Sequence, residues 1–136
     1  MNRELKFRAW DGKNMREVVS IYLEHDGIGQ NVVVKELEGD SVDTLFSGYE
    51  LMQYTSIKDK NGVEICEGDI VRYYDSTTMW LTSRVYDEGG AWAIKTPENP
   101  ILLYEFLRSY EYDGSLVDEL EVIGNIYQGY ELPSHD

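Results

Sequence analysis

The sequence predicts a mainly-β protein built on a barrel or barrel-like sheet, and three observations lead to this fold class. Short runs rich in β-branched and aromatic residues recur at close spacing along the 136 residues. Turn signals containing Gly, Asn or Asp separate these runs. No alternation of strands with long helices, the mark of a parallel α/β sheet, is present. A chain of this length is expected to form one domain, or one domain with a small subdomain.

The first part of the chain predicts β-hairpins. In residues 4–10, apolar side chains alternate with polar ones, which is the pattern of a half-buried strand. The dipeptide Asp11-Gly12 ends this run as a turn. Two β-branched runs, residues 18–23 and 32–37, flank a Gly-rich segment, so we expect them to pair with each other.

The rest of the chain carries further strand signals separated by tight turns. Asn61-Gly62 is suited to the positive-φ positions of such a turn. The strands predicted here cover residues 49–55, 63–66, 70–74, 79–86, 91–95 and 120–127, the last of them broken by Gly124. We place an N-terminal β-hairpin region at residues 1–50 and a barrel-like β domain at residues 51–136, with one continuous domain as the alternative.

Two segments show helical signals. Within residues 101–110, apolar side chains fall at the i, i+3, i+4 and i+7 positions of a helical stripe, and Pro100 suits a first helical position. We predict one short helix there, with a strand as the alternative. A short helical turn is also predicted at residues 43–46, after an acidic stretch.

The charge is strongly negative and unevenly placed. The chain has 26 acidic and 12 basic side chains, for a net charge of −14 at pH 7. The first sixteen residues hold five basic and two acidic side chains, so they carry +3 and the other 120 residues carry −17. Because such a body repels the phosphate backbone, nucleic-acid binding is disfavoured. The negative charge favours association with a basic partner. The alternative interpretation is that it serves only solubility.

Motifs for catalysis, metal binding and cofactor binding are missing from the sequence. The single cysteine, Cys66, excludes an intramolecular disulfide and a Cys-based zinc site, and is expected to be a small buried side chain. A stretch with calcium-loop-like spacing fails because Ile57 and Gly68 stand where oxygen ligands are required. His25 is expected in an exposed loop. We therefore assign no catalytic residue, no metal ligand and no cofactor. No apolar run approaches the roughly 18–20 residues that span a bilayer, so no membrane partner is expected.

Aromatic side chains in the predicted strands are the candidate protein contacts, since Tyr and Trp are typical interface anchors. These candidates are Trp10, Tyr73, Tyr74, Trp80 and Trp92. The alternative is a nucleic-acid contact made by the basic N-terminal residues. That set comprises Arg3, Lys6, Arg8, Lys13 and Arg16.

Three segments, taken together, resemble a known family. They are residues 6–11 (KFRAWD), 53–71 (QYTSIKDKNGVEICEGDIV) and 121–127 (EVIGNIY). Their order and spacing over nearly the whole chain are similar to the YopX family of phage and prophage proteins. By that resemblance we expect Gly where Ser56 stands and an aromatic side chain where Cys66 stands. Ser56 therefore argues against a positive φ at that position.

The resemblance implies phage origin, a bacterial host cytoplasm and self-association. It implies no reaction, because no activity is established for the family. The turn into the strand at residues 68–71, a later Trp-bearing hairpin and a closing strand also look like a small SH3-like barrel, which is an analogy of fold alone.

We therefore expect a non-enzymatic phage accessory protein, a homo-oligomer that acts through protein–protein contacts, with a basic host or phage protein as a candidate partner. The alternatives are a nucleic-acid-binding module that uses the basic N-terminal strand, and an acidic nucleic-acid mimic that inhibits a host protein.

Overall fold

The structure, a computed structural model, describes residues 6–23, 30–75, 79–95, 100–103 and 120–131. Within these ranges twelve strands form two antiparallel sheets, and Leu103 alone has a helical (3₁₀) conformation. The strands are β1 (Phe7–Trp10), β2 (Met15–Leu23), β3 (Gln30–Lys35), β4 (Val42–Leu45), β5 (Glu50–Lys58), β6 (Glu64–Cys66), β7 (Asp69–Asp75), β8 (Met79–Glu88), β9 (Ala91–Lys95), β10 (Pro100–Leu102), β11 (Leu120–Asn125) and β12 (Gly129–Tyr130). The mainly-β fold class is confirmed.

The chain divides into two compact units within β5. The N-terminal unit ends at Gln53 and the main part of the C-terminal unit begins at Tyr54. In the N-terminal unit the strand order is β4-β3-β2-β1-β5. In the C-terminal unit the second half of β5 pairs with β6, and a separate sheet has the order β10-β9-β8-β7-β11-β12.

The predicted hairpins form as expected. Strand β2 pairs with β3 with Ile21 opposite Val32, and β8 pairs with β9 with Val85 opposite Ile94. In both hairpins the β-branched residues of the sequence runs lie across from one another, where their side chains pack well on a pleated surface.

The core of the N-terminal unit lies on one face of its sheet. Ala9, Val32 and Val34 are fully buried. Ala9 lies opposite Leu51 on β5, and Val32 lies opposite Leu45 on β4. Because side chains alternate between the two faces of a strand, these pairings gather every second apolar residue on the same face.

The core of the C-terminal unit is larger and is centred on β7. Tyr73 on this strand lies opposite Leu81 of β8 and Leu120 of β11. The buried apolar side chains are Ile65, Val71, Tyr73, Val85, Ile94, Leu103 and Leu120.

Both positions that depart from the family pattern are structurally defined. Cys66 is fully buried, as predicted, and its sulfur is not part of a disulfide. Ser56 has a φ of 71°, so the backbone does adopt the left-handed conformation that its side chain argued against. Strand β5 bulges here relative to β6, and the Thr55 hydroxyl takes over part of the pairing. It accepts the Ile57 N–H at 3.1 Å and donates to the Ile65 carbonyl at 2.8 Å.

The helical predictions are wrong at residues 43–45 and 101–102, whereas Leu103 has a 3₁₀ conformation within the predicted helix. Residues 42–45 form β4, which pairs with β3 in an unbroken register. Pro100, Ile101 and Leu102 form β10, which was the alternative, with Ile101 opposite Ile94. Cross-strand pairing of apolar residues outweighs the local helical spacing, and Pro is tolerated as the first residue of this edge strand. Residues 104–110 lie outside the described part of the chain.

No pairing among the described strands closes either sheet into a ring. The second sheet ends at β10 on one side and at β12 on the other. The SH3-like barrel of residues 51–136 therefore stays a prediction.

Candidate protein-interaction surface

Two of the three segments that carry the family resemblance, residues 53–71 and 121–127, contain side chains that fix turns of the C-terminal unit. Asp59 is the clearest case, since its side chain is fully buried. Its Oδ1 accepts the backbone N–H groups of Asn61 at 2.8 Å and Val63 at 2.9 Å, and its Oδ2 accepts that of Val122 at 2.9 Å. The carboxylate thus ties the turn after β5 to strand β11. With both oxygens engaged by backbone donors, the carboxylate fixes the geometry of this turn.

A second buried carboxylate shapes the turn between β6 and β7. The Asp69 Oδ2 accepts the Cys66 N–H at 2.8 Å. Between them, Gly68 has a φ of 86° and donates its N–H to the Val85 carbonyl at 2.9 Å. Its own carbonyl accepts the Ile126 N–H at 2.9 Å. This turn is consequently joined to β8 and to the end of β11.

The third segment closes the hairpin between β11 and β12. The Asn125 Oδ1 accepts the backbone N–H groups of Tyr127 at 3.0 Å and Gln128 at 2.9 Å. Gly124 packs directly against β12, where a Cβ would lie 2.6 Å from the Tyr130 Cα. The segment 121–127 is therefore explained by the turn that Asn125 stabilises and by the close packing that Gly124 permits.

The basic N-terminal residues are not presented together. Arg16 is 8% exposed. Its guanidinium donates to the Asp11 and Asp43 carboxylates and to the Lys35 carbonyl, each at 2.9 Å. The hydrogen bonds to Asp43 and Asp11 raise the pKa of Arg16, and the Asn14 N–H together with Arg16 holds the pKa of Asp11 below its ordinary value. Arg16 therefore joins three strands and offers little surface to a phosphate.

The other members of that set differ in exposure. Lys6 and Lys13 are exposed, and Arg8 is half-buried opposite Glu17. Arg3 lies outside the described residues. Among the described members of the set, Lys6 and Lys13 are thus the exposed cations, and two cations make few of the phosphate contacts on which nucleic-acid affinity depends.

The predicted aromatic contacts are divided between core and surface. Tyr73 is 6% exposed and belongs to the core, and Trp92 packs against that core from the side. Trp10 is half-buried on β1. The side chains of Tyr74 and Trp80 lie outside the described part of the structure.

A different set of apolar side chains forms the most accessible surface. Five of the eight large hydrophobic residues exposed among the described residues belong to the N-terminal unit. They are Val19, Tyr22, Leu37, Val42 and Phe46. Tyr22 is 59% exposed and Phe46 70%, so both aromatic side chains are accessible to a partner.

The strand register places several of these residues on one face. Val33 alternates with its buried neighbours on β3, so it lies on the sheet face away from the core, opposite Thr44. Val42 is two residues from Thr44 and shares this face. Tyr22 is two residues from Ser20, which lies opposite Val33. We call the surface formed by Tyr22, Val33, Val42, Thr44 and the adjoining Phe46 the outer face.

An acidic rim lies where β3 leads into β4, on the side of the sheet that carries Asp43 and not Val42 or Thr44. Glu36, Glu38 and Asp43 line a shallow depression of about 490 Å³ together with the exposed Leu37 and the buried Arg16. The outer face offers apolar anchors, and the acidic rim offers carboxylates at the same end of the sheet. Aromatic anchors with polar groups near them suit the binding of another protein.

Sequence reasoning missed the outer face for an identifiable reason. Residues 43–46 follow an acidic, turn-like stretch, which predicts a short helical turn there. That prediction hides the strand-like alternation of Val42, Thr44 and Phe46. Had this segment been treated as a strand, its period of two would have predicted an exposed apolar face.

No group of three or more His, Cys, Asp or Glu side chains in the described ranges is arranged to hold a metal ion. Nor does any helix among those residues have the length and apolar character needed to cross a membrane.

The fold and its turns define a mainly-β protein of two antiparallel sheets, with its motif residues used for turn geometry. The model of the YopX family, described as YopX protein, matches residues 6–132. The chain belongs to the YopX family, as the resemblance predicted. No functionally curated protein matches the sequence significantly.

Two crystal structures have the same overall fold. Protein yopX from Bacillus subtilis is 18% identical with a TM-score of 0.60, and the match covers 91% of this chain and 94% of that one. Protein EF1440 from Enterococcus faecalis is 25% identical with a TM-score of 0.57, and the match covers 93% and 95%.

Proposed function

We propose that this protein is a phage- or prophage-encoded accessory protein of the bacterial cytoplasm, without enzymatic activity, that works as an oligomeric protein-interaction module. The observation that carries the proposal is the outer face of the N-terminal unit. Tyr22 and Phe46 are the largest apolar side chains there, and both stay more than half exposed in the single chain. Covering such a surface with a protein partner removes it from water, at about 25 cal/mol for each Å².

Charge supports a protein partner over a nucleic acid. Outside its first sixteen residues the chain carries −17, which opposes a phosphate backbone. Arg16 forms ion pairs with Asp11 and Asp43, so its charge is neutralised within the fold and does not serve the basic N-terminal set. The acidic body instead favours association with basic protein surfaces.

The oligomeric state of purified protein tests the proposal. Light scattering over a range of concentrations should return a mass above the 15.7 kDa of one chain. Replacing Tyr22 and Phe46 together by Ser should shift the population towards single chains, because the two aromatic anchors are removed from the outer face.

A matched control uses exposed apolar residues of the other unit. Val63→Ser with Ile126→Ser removes side chains of comparable exposure, 47% and 43%, and should leave the mass unchanged. A mass of 15.7 kDa at every concentration would refute self-association. If both double variants lowered the measured molar mass equally, the outer face would not be the site of self-association.

A further inference from the structure

Among the strands that the structure describes, β4 is an edge of its sheet. It pairs with β3 on one side, and it ends the strand order of the N-terminal unit on the other. Proteins usually blunt such edges with Pro, Lys, inward-pointing charges, a bulge or very short strands, because unpaired N–H and C=O groups recruit further strands. The inward-pointing charge of β4, that of Asp43, is paired with Arg16 at 2.9 Å. Strand β4 has four residues, Val-Asp-Thr-Leu, in unbroken register with β3, and three of the four are exposed.

The other described edges are better protected. Strand β10 begins with Pro100, which lacks a donor N–H. Strand β12 is only two residues long. Strand β6 has three residues, and Ile65 and Cys66 among them are fully buried. Among the strands that the structure describes, β4 is therefore the edge best able to accept an added strand.

The surroundings of this edge are strongly acidic. Residues 36–43 contain four carboxylates and no basic side chain. Glu36, Glu38 and Asp40 are exposed, and the side chain of Asp43 is 47% exposed at the start of β4 although it pairs with Arg16. The backbone N–H of Glu36 donates to the Ser41 carbonyl at 3.0 Å, which keeps this turn next to the strand it precedes.

The side chains of β4 and the residue after it divide between two faces. Val42 and Thr44 lie on the outer face, and Phe46 follows them at the same spacing. Asp43 lies on the opposite face between them. A strand laid along this edge would therefore meet Val42 and Phe46 on one face, with Thr44 between them, and the carboxylates of the acidic turn near its end.

We propose that the β4 edge binds an extended basic segment of a partner protein by strand addition, with Lys or Arg facing the acidic turn and apolar residues beside Val42 and Phe46. This proposal rests on the proposed function as a protein-interaction module and names the partner's chemistry. A second copy of the chain is a poor occupant of this edge. Residues 36–46 contain no basic side chain, so β4 of a second copy could not complement the charge of the acidic turn.

Binding of a synthetic peptide tests the proposal. The probe is a fluorescein-labelled peptide of about eight residues in which Lys and Val alternate, long enough to span a typical strand. Its affinity is measured by fluorescence anisotropy. Glu36→Lys with Glu38→Lys should weaken binding roughly tenfold, because two rim charges are reversed.

Two controls separate strand addition from general attraction to an acidic protein. Glu88→Lys with Glu131→Lys makes the same change in net charge at exposed positions of the C-terminal unit. It should change the affinity less than twofold, because exposed charges away from the binding site contribute little to binding. A peptide with alternate backbone nitrogens methylated should bind poorly, because it cannot donate the ladder hydrogen bonds.

Equal weakening in the two double variants, or full binding by the methylated peptide, would overturn the β4 site. These outcomes are independent of the oligomeric state. A single-chain mass with selective peptide binding refutes self-association alone, whereas an oligomer without selective binding refutes the β4 site alone.

Discussion

Replacing Asp59 by Asn should lower the free energy of unfolding by about 2–4 kcal/mol. The Asp59 carboxylate is fully buried and accepts three backbone N–H groups, two through Oδ1 and one through Oδ2. An Asn side chain has only one carbonyl oxygen, so its NH₂ group must face at least one of those donors. A hydrogen bond to a charged group contributes about 1.5–3 kcal/mol, and a buried donor left without an acceptor costs a further 1–3 kcal/mol. Removal of the buried charge offsets part of this sum.

Chemical denaturation followed by tryptophan fluorescence measures the effect. The matched control is Asp87→Asn, since the Asp87 Oδ1 accepts a single N–H, that of Gly90 at 2.8 Å, in an exposed turn. This control should cost no more than about 1 kcal/mol. Amide hydrogen exchange adds a local test, because Val122 and Val63 should lose protection selectively in the Asp59 variant.

The reasoning about Asp59 would be refuted by a specific result. If Asp59→Asn and Asp87→Asn changed the free energy of unfolding by the same small amount, the three hydrogen bonds would not stabilise the turn. Unchanged protection at Val122 would lead to the same conclusion for the link to β11.

Three further outcomes are expected. Ser56→Gly should raise the free energy of unfolding by about 0.5–1 kcal/mol, as measured by thermal denaturation. The left-handed conformation costs a residue with a side chain about 1–2 kcal/mol, and the larger conformational entropy that Gly loses on folding offsets part of the gain from removing that cost. Gly124→Ala should destabilise the protein by at least about 3 kcal/mol or prevent folding, since its Cβ would collide with β12; circular dichroism and the thermal midpoint report this. Asp11, whose folded-state pKa is depressed, stabilises the protein above its ordinary pKa of 3.8, and this contribution should disappear as the pH falls through the lower folded value; denaturation at several pH values checks it against Asp11→Asn.

Each of these expectations has its own control. Ser56→Ala keeps the left-handed strain and should give no gain in stability, so an equal gain would contradict the assigned cause. Gly39→Ala matches Gly124→Ala in residue type but has open space around it, and its smaller cost should come from positive φ alone. If the pH dependence of Asp11→Asn below 3.8 equalled that of the wild type, Asp11 would not be the titrating group.

The strands could be predicted where a local signal and tertiary pairing agree. The runs at residues 18–23 and 32–37 have apolar periodicity on both sides of a turn, and they pair with each other as β2 and β3. The prediction failed at residues 43–46 and at the start of the 101–110 segment, where local spacing suited a helix. Partner strands supplied hydrogen bonds and apolar contacts that no local window contains, and β4 and β10 formed instead.

The candidate site was less predictable than the fold. Aromatic residues were chosen by type, yet Tyr73 fills the core and Tyr22 is 59% exposed, a difference set by which face each residue occupies. Basic residues were grouped by nearness in sequence, yet Arg16 turned inwards because Asp11 and Asp43 converge on it from two other segments.

The sequence by itself determined the fold class, the family, the acidic field and the turns, because composition, alternation and turn chemistry act over a few residues. Only the tertiary structure decided that Ser56 adopts a left-handed backbone, that Asp59 binds β11 across the chain, and that β4 is an open edge beside an acidic turn. Each of these depends on a neighbour brought close by folding, and hydrogen bonding and charge pairing act on distance in space and not on separation along the chain.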